Sequence, residues 1–333
     1  MFDTTKPEFP QQWRPLVASA ADALRALALN EGAKERFSND PLLQPYLDRV
    51  AKRYIAGHTV EEALVRVAEI NARGHAASAE YMGESCRDEA VAGSETEVFL
   101  DLISQIGERG LNCSISLDLS HVGMVIDPEL GYRNVLRIAK AALAISREVM
   151  ISMEGADRAD DIYKIYGRLH ETGMTNVGIT VPAKLHRTVD DLPRLMAHSG
   201  RVRLVKGAFI EPEAIGLDRN DPELRRRYLQ FSKTLLDSGN LCSIATHDRG
   251  IQAELASYID ATGRRNQPYE FESLIGLGVD QIDGLRNRGL PTREYAVFGD
   301  QYFLYVLNRI AEEPVRLYQA IIDATGHEWN PVS

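Results

Sequence analysis

The sequence predicts an α/β fold: a (β/α)8 barrel of the TIM type, preceded by a helical N-terminal extension. Two observations carry that expectation. From residue 75 onward, short β-branched or apolar runs alternate with longer amphipathic stretches, the pattern of parallel βαβ units. The runs number eight, as a closed barrel of this kind requires. A doubly wound open sheet is the alternative, but no GxGxxG follows the first run, which weakens it.

Taken in order, residues 1–15 are polar, contain Pro7, Pro10 and Pro15, and read as a lead-in. "LVASAADALRALAL", from Leu16, carries Ala and Leu at helical spacing. "TVEEALVRVAEINARG" has an N-cap at Thr59, acids in its first turn and a stop at Gly74. The strand candidates follow: "HAASAEYMGES" (75–85), "NCSISLDLS" (112–120), "VMISMEG" (149–155) and "NVGITVPA" (176–183). The other four are "RVRLVKGA" (201–208), "LCSIATHD" (241–248), "YEFESLIG" (269–276) and "TREYAVFG" (292–299). The predicted units are a helical segment 1–74, the barrel 75–316 and a tail 317–333.

Composition narrows the functions. The chain has 333 residues, is 44% hydrophobic and carries a formal charge of −10, with no basic stripe. Nucleic acid is therefore excluded as the main partner. Cys86, Cys113 and Cys242 are far apart with no CxxC pair and read as free thiols of a reducing cytoplasm. The start, "MFDTTKPEFPQQW", has no signal pattern, and no window approaches the ~18 apolar residues of a membrane span. The expectation is a soluble cytoplasmic protein, with peripheral contact at the inner membrane face and the oligomeric state left open.

Barrel enzymes build their sites at the C-terminal ends of the strands. Here those ends carry Glu84, Asp118, Glu154, Arg203, Lys206, Thr246, His247, Asp248, Glu270, Glu272 and Tyr295. The pair Arg203 and Lys206 interrupts and ends an apolar strand, where unpaired charge is costly. Three readings compete. Lys206 is a Schiff-base lysine; Glu154, His247, Asp248 and Glu270 bind a metal, without any HxH or HExxH spacing to support it; or both cations face a phosphate-bearing cofactor with an electron-poor ring. The plain structural alternative is a pair of internal salt bridges to Glu154 or Glu270. Near the C-terminus, "YFLYVLNRIAEEP" places Tyr305, Asn308, Arg309 and Glu312 on one helix face, which suits a lid over a polar ligand.

Together these stretches resemble the proline dehydrogenase family, in its monofunctional bacterial form. The similarity rests on "VRLVKGAF", "ATHD" (245–248), "YEFESL" (269–274), "REYAVFG" (293–299) and "YVLNRIAEEP", with "YMGES" upstream. It runs from about residue 50 to 316. The resemblance implies a barrel holding non-covalent FAD and a reaction in which hydride leaves the carbon next to the amine nitrogen for flavin N5. It implies Arg203 near N5, and Lys206, Gly207, Ala208, Thr246, His247, Glu154, Pro182 and Glu270 around the cofactor. It implies Tyr295 and Tyr305 around the substrate ring with Phe209 and Leu274 nearby, Arg309 on the substrate carboxylate and Glu312 orienting Arg309. A quinone is the implied electron acceptor.

The sequence departs from the family pattern where substrate should lie. A family lysine aligns with Asp118, an aspartate with Ser152, and the first of two arginines with Asn308. The family trio sums to +1 and the trio here to −1, so two units of positive charge are missing. Losing one arginine contact to a buried carboxylate costs about 2–5 kcal/mol. Lys184 is a nearby cation expected to restore part of the charge. The expectation is a related amine whose carboxylate is absent or masked, or one with an extra cationic group, in a specialised biosynthetic route. The alternatives are an ordinary L-proline dehydrogenase, a non-catalytic FAD or ligand binder, and an aldolase.

Overall fold

Each of the eight runs forms a strand in the computed structural model, which describes residues 11–83, 85–313 and 316–327. The strands are β1 Ala76–Tyr81, β2 Cys113–Leu117, β3 Val149–Ile151, β4 Val177–Pro182, β5 Val202–Val205, β6 Cys242–Ala245, β7 Tyr269–Leu274 and β8 Thr292–Phe298. They pair in parallel and in chain order, and β8 returns to β1 to close the barrel. Glu84 lies outside the described residues, as does Pro314, the last residue of the stretch read as the C-terminal helix.

The two-residue period of the strands sorts their side chains between two environments. Ile115, Leu117, Ile179, Val181, Val202, Leu204, Ile244 and Phe271 point outward and form the main core with the surrounding helices. The intervening positions point inward and are polar. Arg203 on β5 reaches Thr180 on β4, Glu272 on β7 and Ser116 on β2 across the lumen. Arg293 near the start of β8 meets Glu270 at 2.7 Å and Ser114 at 2.8 Å. The lumen is thus filled by a hydrogen-bonded network, not by the branched apolar layers common in such barrels.

Helix starts follow from local chemistry. α4, Val60–Ala72, begins where Thr59 Oγ1 accepts the Glu62 N–H, and it buries Ala63, Leu64, Val67 and Ile70 on one face. Among the helices that follow strands are α5 Glu89–Glu108, α6 Pro128–Ala144, α7 Ala159–Glu171, α8 Thr188–Leu195, α9 Pro222–Ser238, α10 Arg249–Ala261 and α11 Val279–Asn287. The chain ends in α12 Tyr302–Glu312 and α13 Arg316–Thr325, so the stretch expected as a tail contributes a helix.

The N-terminal helices α1 Arg14–Ala28, α2 Glu31–Asn39 and α3 Gln44–Ala51 do not cover the bottom of the barrel. Ala28, Leu47, Ala51 and Tyr54 form a second core with Val306 and Ile310 of α12, Ala320 of α13 and Val297 near the end of β8. Arg53 ties this layer to α13 by two bonds to Asp323, both 2.6 Å. All three cysteines are buried and free. No helix among the described residues is long and apolar enough to cross a membrane.

The turn after β7 shows how closely the second core is fitted. Gly276 has φ +72, and a Cβ there would stand 1.8 Å from the Arg53 carbonyl oxygen. Gly276→Ala should therefore cost about 2–4 kcal/mol by denaturant unfolding, because backbone strain adds to a backbone clash. Gly173 has φ +84 but open space around its Cα. Gly173→Ala should cost only about 1 kcal/mol.

Candidate active site

Arg203 stands inside the barrel on β5 and is 5% exposed. Its Nε donates to Thr180 Oγ1 at 2.9 Å, one terminal nitrogen donates to Glu272 Oε1 at 3.3 Å, and the other to Ser152 at 3.0 Å and Ser116 at 3.2 Å. Its guanidinium lies 5.0 Å from the centre of the Tyr295 ring. Glu272 therefore holds the place that sequence reasoning gave to Glu154 or Glu270. Lys206 at the end of β5 pairs with Asp248 at 2.9 Å. Both cations thus carry an acidic partner, and each is also turned toward the C-terminal mouth.

The β6 end supplies Thr246, His247 and Asp248. Asp248 caps α10 by accepting the Ile251 N–H at 3.0 Å. His247 Nε2 accepts the Leu274 backbone N–H at 2.9 Å, so its proton sits on Nδ1 and the ring is neutral. Burial, with Arg316, Arg309 and Lys206 nearby, lowers its pKa to about 3. Leu274 is half-buried and lies beside Tyr295 in the sheet register.

Helix α12 turns an apolar face, Tyr302, Phe303, Val306, Leu307 and Ile310, to the second core. Its other face carries Tyr305, Asn308, Arg309 and Glu312, all half-buried. Arg309 pairs with Glu312 at 2.8 Å and stands 5.2 Å from the centre of the Tyr305 ring. The Tyr305 phenol is pushed up by burial. Glu312 lies 4.0 Å from Arg219 in the loop between β5 and α9, which sets this face over the mouth.

Five polar side chains converge beneath it. Tyr295 and Ser152 both donate to Glu80 Oε2 at the end of β1, Ser152 at 3.0 Å. Burial pushes the Asp118 carboxyl well above the usual range, and the charges of Glu80 and Glu154 push it further. Glu154 is engaged by the Ser120 N–H at 3.0 Å and by Arg158.

Other expected members of the site lie elsewhere. Glu270 sits near the start of β7, on the floor of the lumen, held by Arg293, Ser243 and Arg201, away from the mouth. Phe209 and Ala208 are exposed in the loop after β5. Lys184 donates to the Phe209 carbonyl at 2.6 Å, so its ammonium serves that loop and not Asp118. Gly207, at φ +111, allows this approach: a Cβ there would stand 2.7 Å from the Lys184 side chain and 3.2 Å from Pro182 Cβ.

Sequence reasoning missed Glu80 and left Glu272 without a role. Both were accessible to the rule that found the others, since each is an acid one alternate position on from a polar inward residue of its strand. Ser116 and Thr180 gave no such signal.

The metal reading has no support among the described residues: Glu154, His247 and Asp248 are each engaged separately at the mouth, and Glu270 lies apart on the floor. Among the described residues, one other group of ligand types gathers: His75, Asp283 and Glu294, at the opposite end of the barrel. There Arg73 already bridges both carboxylates. Tyr305 Oη and Arg309 Nε are buried without a hydrogen-bond partner among the described residues, and both belong to the face over the mouth.

A family model described as proline dehydrogenase matches residues 63–313. The chain belongs to the proline dehydrogenase family. Its members are FAD-dependent oxidoreductases acting on a CH–NH group. Proline dehydrogenase 1 of Bacillus subtilis is 30% identical over 267 residues, 79% of this chain and 87% of that protein. Proline dehydrogenase of Deinococcus radiodurans is 28% identical over 285 residues, 84% of this chain and 91% of that protein. The barrel is also similar to proline utilization A from Bdellovibrio bacteriovorus inactivated by N-propargylglycine, with a TM-score of 0.75 at 15% identity. That match covers 95% of this chain and 43% of the other, and it bears on the fold.

The neutral ring of His247 has a consequence for a proline dehydrogenase mouth held by three cations. Its pKa is about 6.5 when unfolded and about 3 when folded, so only the unfolded chain binds this proton between those values. The stability it contributes is complete above pH ~6.5 and is lost as pH falls toward ~3. His247→Gln should flatten the acid limb of stability against pH by about 1–3 kcal/mol, measured by urea unfolding.

Proposed function

We propose that this chain oxidises the C–N bond of proline or a proline-like amine to an imine, with FAD as the hydride acceptor and with a substrate preference shifted from free L-proline. The observation that carries the reading is the meeting of Arg203 and Tyr295 under the Tyr305–Arg309 face of α12, with two buried polar atoms left to satisfy.

Arg203, Lys206, Thr246 and His247 would hold the cofactor, with Pro182, Gly207 and Ala208 shaping the loop beside it. FAD, when bound, supplies a two-electron acceptor for hydride at N5. The protein supplies position and charge. Arg203 brings a fixed positive charge to the mouth, where negative charge develops on reduction. Tyr295 and Tyr305 present ring faces to an apolar substrate ring. Arg309, oriented by Glu312, would take a carboxylate if the substrate has one. The substrate amine must be unprotonated to release hydride, and the acidic mouth offers carboxylates as proton acceptors. The ammonium of Lys206 is paired with Asp248, which argues against a Schiff-base aldolase. A quinone as the second substrate accords with the resemblance.

The shift in preference rests on Asp118, Ser152 and Asn308. Asn308 adds no charge beside Arg309. The Ser152 hydroxyl is committed to Glu80 and Arg203. Burial favours the neutral form of Asp118, so the shortfall of positive charge lies between one and two units. A carboxylate held by Arg309 alone would bind weakly. Family membership lends no support to a biosynthetic role, and that placement is not carried further.

Anaerobic bleaching of the yellow protein decides between these readings. A prolinamide-type amine should bleach it with kcat/KM at least about tenfold above L-proline, a difference of about 1.4 kcal/mol. Fast turnover of L-proline at low KM would overturn the altered preference and leave an ordinary proline dehydrogenase. A yellow protein that no amine bleaches would be a flavin binder. Arg309→Ala should raise KM for carboxylate-bearing amines about 30-fold or more and change prolinamide little, since only the former lose an ion pair worth about 2–5 kcal/mol.

A further inference from the structure

The mouth contains a hydrogen-bond chain whose proton positions are settled by chemistry alone. A guanidinium only donates and an ionised carboxylate only accepts. Ser152 Oγ receives Arg203 at 3.0 Å and lies 3.0 Å from Glu80 Oε2, so its single proton must point to Glu80. Ser116 Oγ receives Arg203 at 3.2 Å and lies 3.2 Å from Ser152 Oγ, so Ser116 donates to Ser152. Tyr295 donates its phenol proton to the same Glu80 oxygen. Five side chains, four from strands and one from the residue that follows β3, thus share one polarity, running from Ser116 and Arg203 through Ser152, and from Tyr295, into a single carboxylate.

We infer that Glu80 is a positioning residue for the reaction: its charge orients Ser152 toward Arg203 and fixes the Tyr295 ring beside the guanidinium. This rests on the redox reading above and names a residue which that reading leaves without a role. Without the carboxylate, Ser152 has no fixed acceptor and its proton is free to turn toward Arg203, where it would oppose the guanidinium. Tyr295 would lose the bond that holds its ring 5.0 Å from Arg203. Glu272, at 3.3 Å on the other side of the guanidinium, cannot replace this function, because it touches neither Ser152 nor Tyr295. Glu80 also tempers the cation: it stands one hydroxyl away from Arg203 through Ser152, while Glu272 bonds the guanidinium directly, so the charge of Arg203 toward a bound ring depends on both acids.

The test uses Glu80→Gln, whose amide oxygen can still accept from Tyr295 and Ser152 while the charge is gone, together with Glu80→Ala and Tyr295→Phe. Three readouts are taken. In steady-state turnover, E80Q should lower kcat about tenfold and E80A about a hundredfold, with KM changed far less, as expected for misplaced reacting groups. The midpoint potential of the bound flavin should move to more positive values in E80Q, because a negative charge has left the mouth. Thermal unfolding of E80A, Y295F and the double variant should be non-additive, since either change removes the Tyr295–Glu80 contact.

An unchanged potential together with kcat within twofold of the parent in E80Q would overturn the inference. Additive unfolding shifts would overturn it as well. The unfolding cycle needs no flavin, so a colourless protein would sink the redox reading while the coupling of Glu80 to Tyr295 is still decided.

Discussion

The guanidinium of Arg203, pointing into the closed barrel, is the feature to which the rest of the interior is fitted. Removing such a charge from water costs several kcal/mol unless partners replace the solvent. Here the replacement is shared among Glu272, Thr180 and Ser116, drawn from three other strands, and Ser152, just past the end of β3. Each of those strands must then place a polar residue inward at the matching height. Because side chains alternate along a strand, the same constraint sends the apolar residues outward. The main hydrophobic core therefore lies between strands and helices, and the lumen is left to ions and hydroxyls.

The lumen has two levels with different tasks. Near the strand starts, Glu270, Arg293, Arg201 and Ser243 satisfy one another and close the barrel floor. Nearer the mouth the balance is incomplete. Acids at Glu80, Asp118, Glu154 and Glu272 face Arg203 and Arg158, and Asp118 relieves part of the repulsion by favouring its neutral form. Self-neutralised ions stabilise a floor, while an unbalanced group of ions at a mouth is suited to a ligand.

The lid depends on packing distant from the chemistry. Tyr305 and Arg309 can present polar atoms over the mouth only because the opposite face of α12 is held by the N-terminal helices and by α13. Among the described residues, the N-terminal helices thus support this face of α12 without supplying a side chain to it. Arg53 and Asp323 fasten this support at two points.

The eight runs, their order and the polar strand ends were legible in the sequence, because strand period and helix caps are local properties of neighbouring residues. The family motifs, being contiguous, were legible for the same reason. Strand VRLV alone even shows that Arg203 and its neighbours face opposite ways. Which acid meets Arg203 was not legible. Glu154, Glu270 and Glu272 are equivalent as letters, and only barrel register separates the floor from the mouth. The same holds for Lys184, whose charge is drawn to a loop carbonyl, and for Glu80, which joins Tyr295 across 215 positions. The sequence by itself determined where the eight strands lie and how their side chains alternate, though it left α13 as a tail; the closed tertiary structure decided which inward charges are neutralised and which remain for a ligand, because Coulomb and hydrogen-bond partners depend on distance in space and not along the chain.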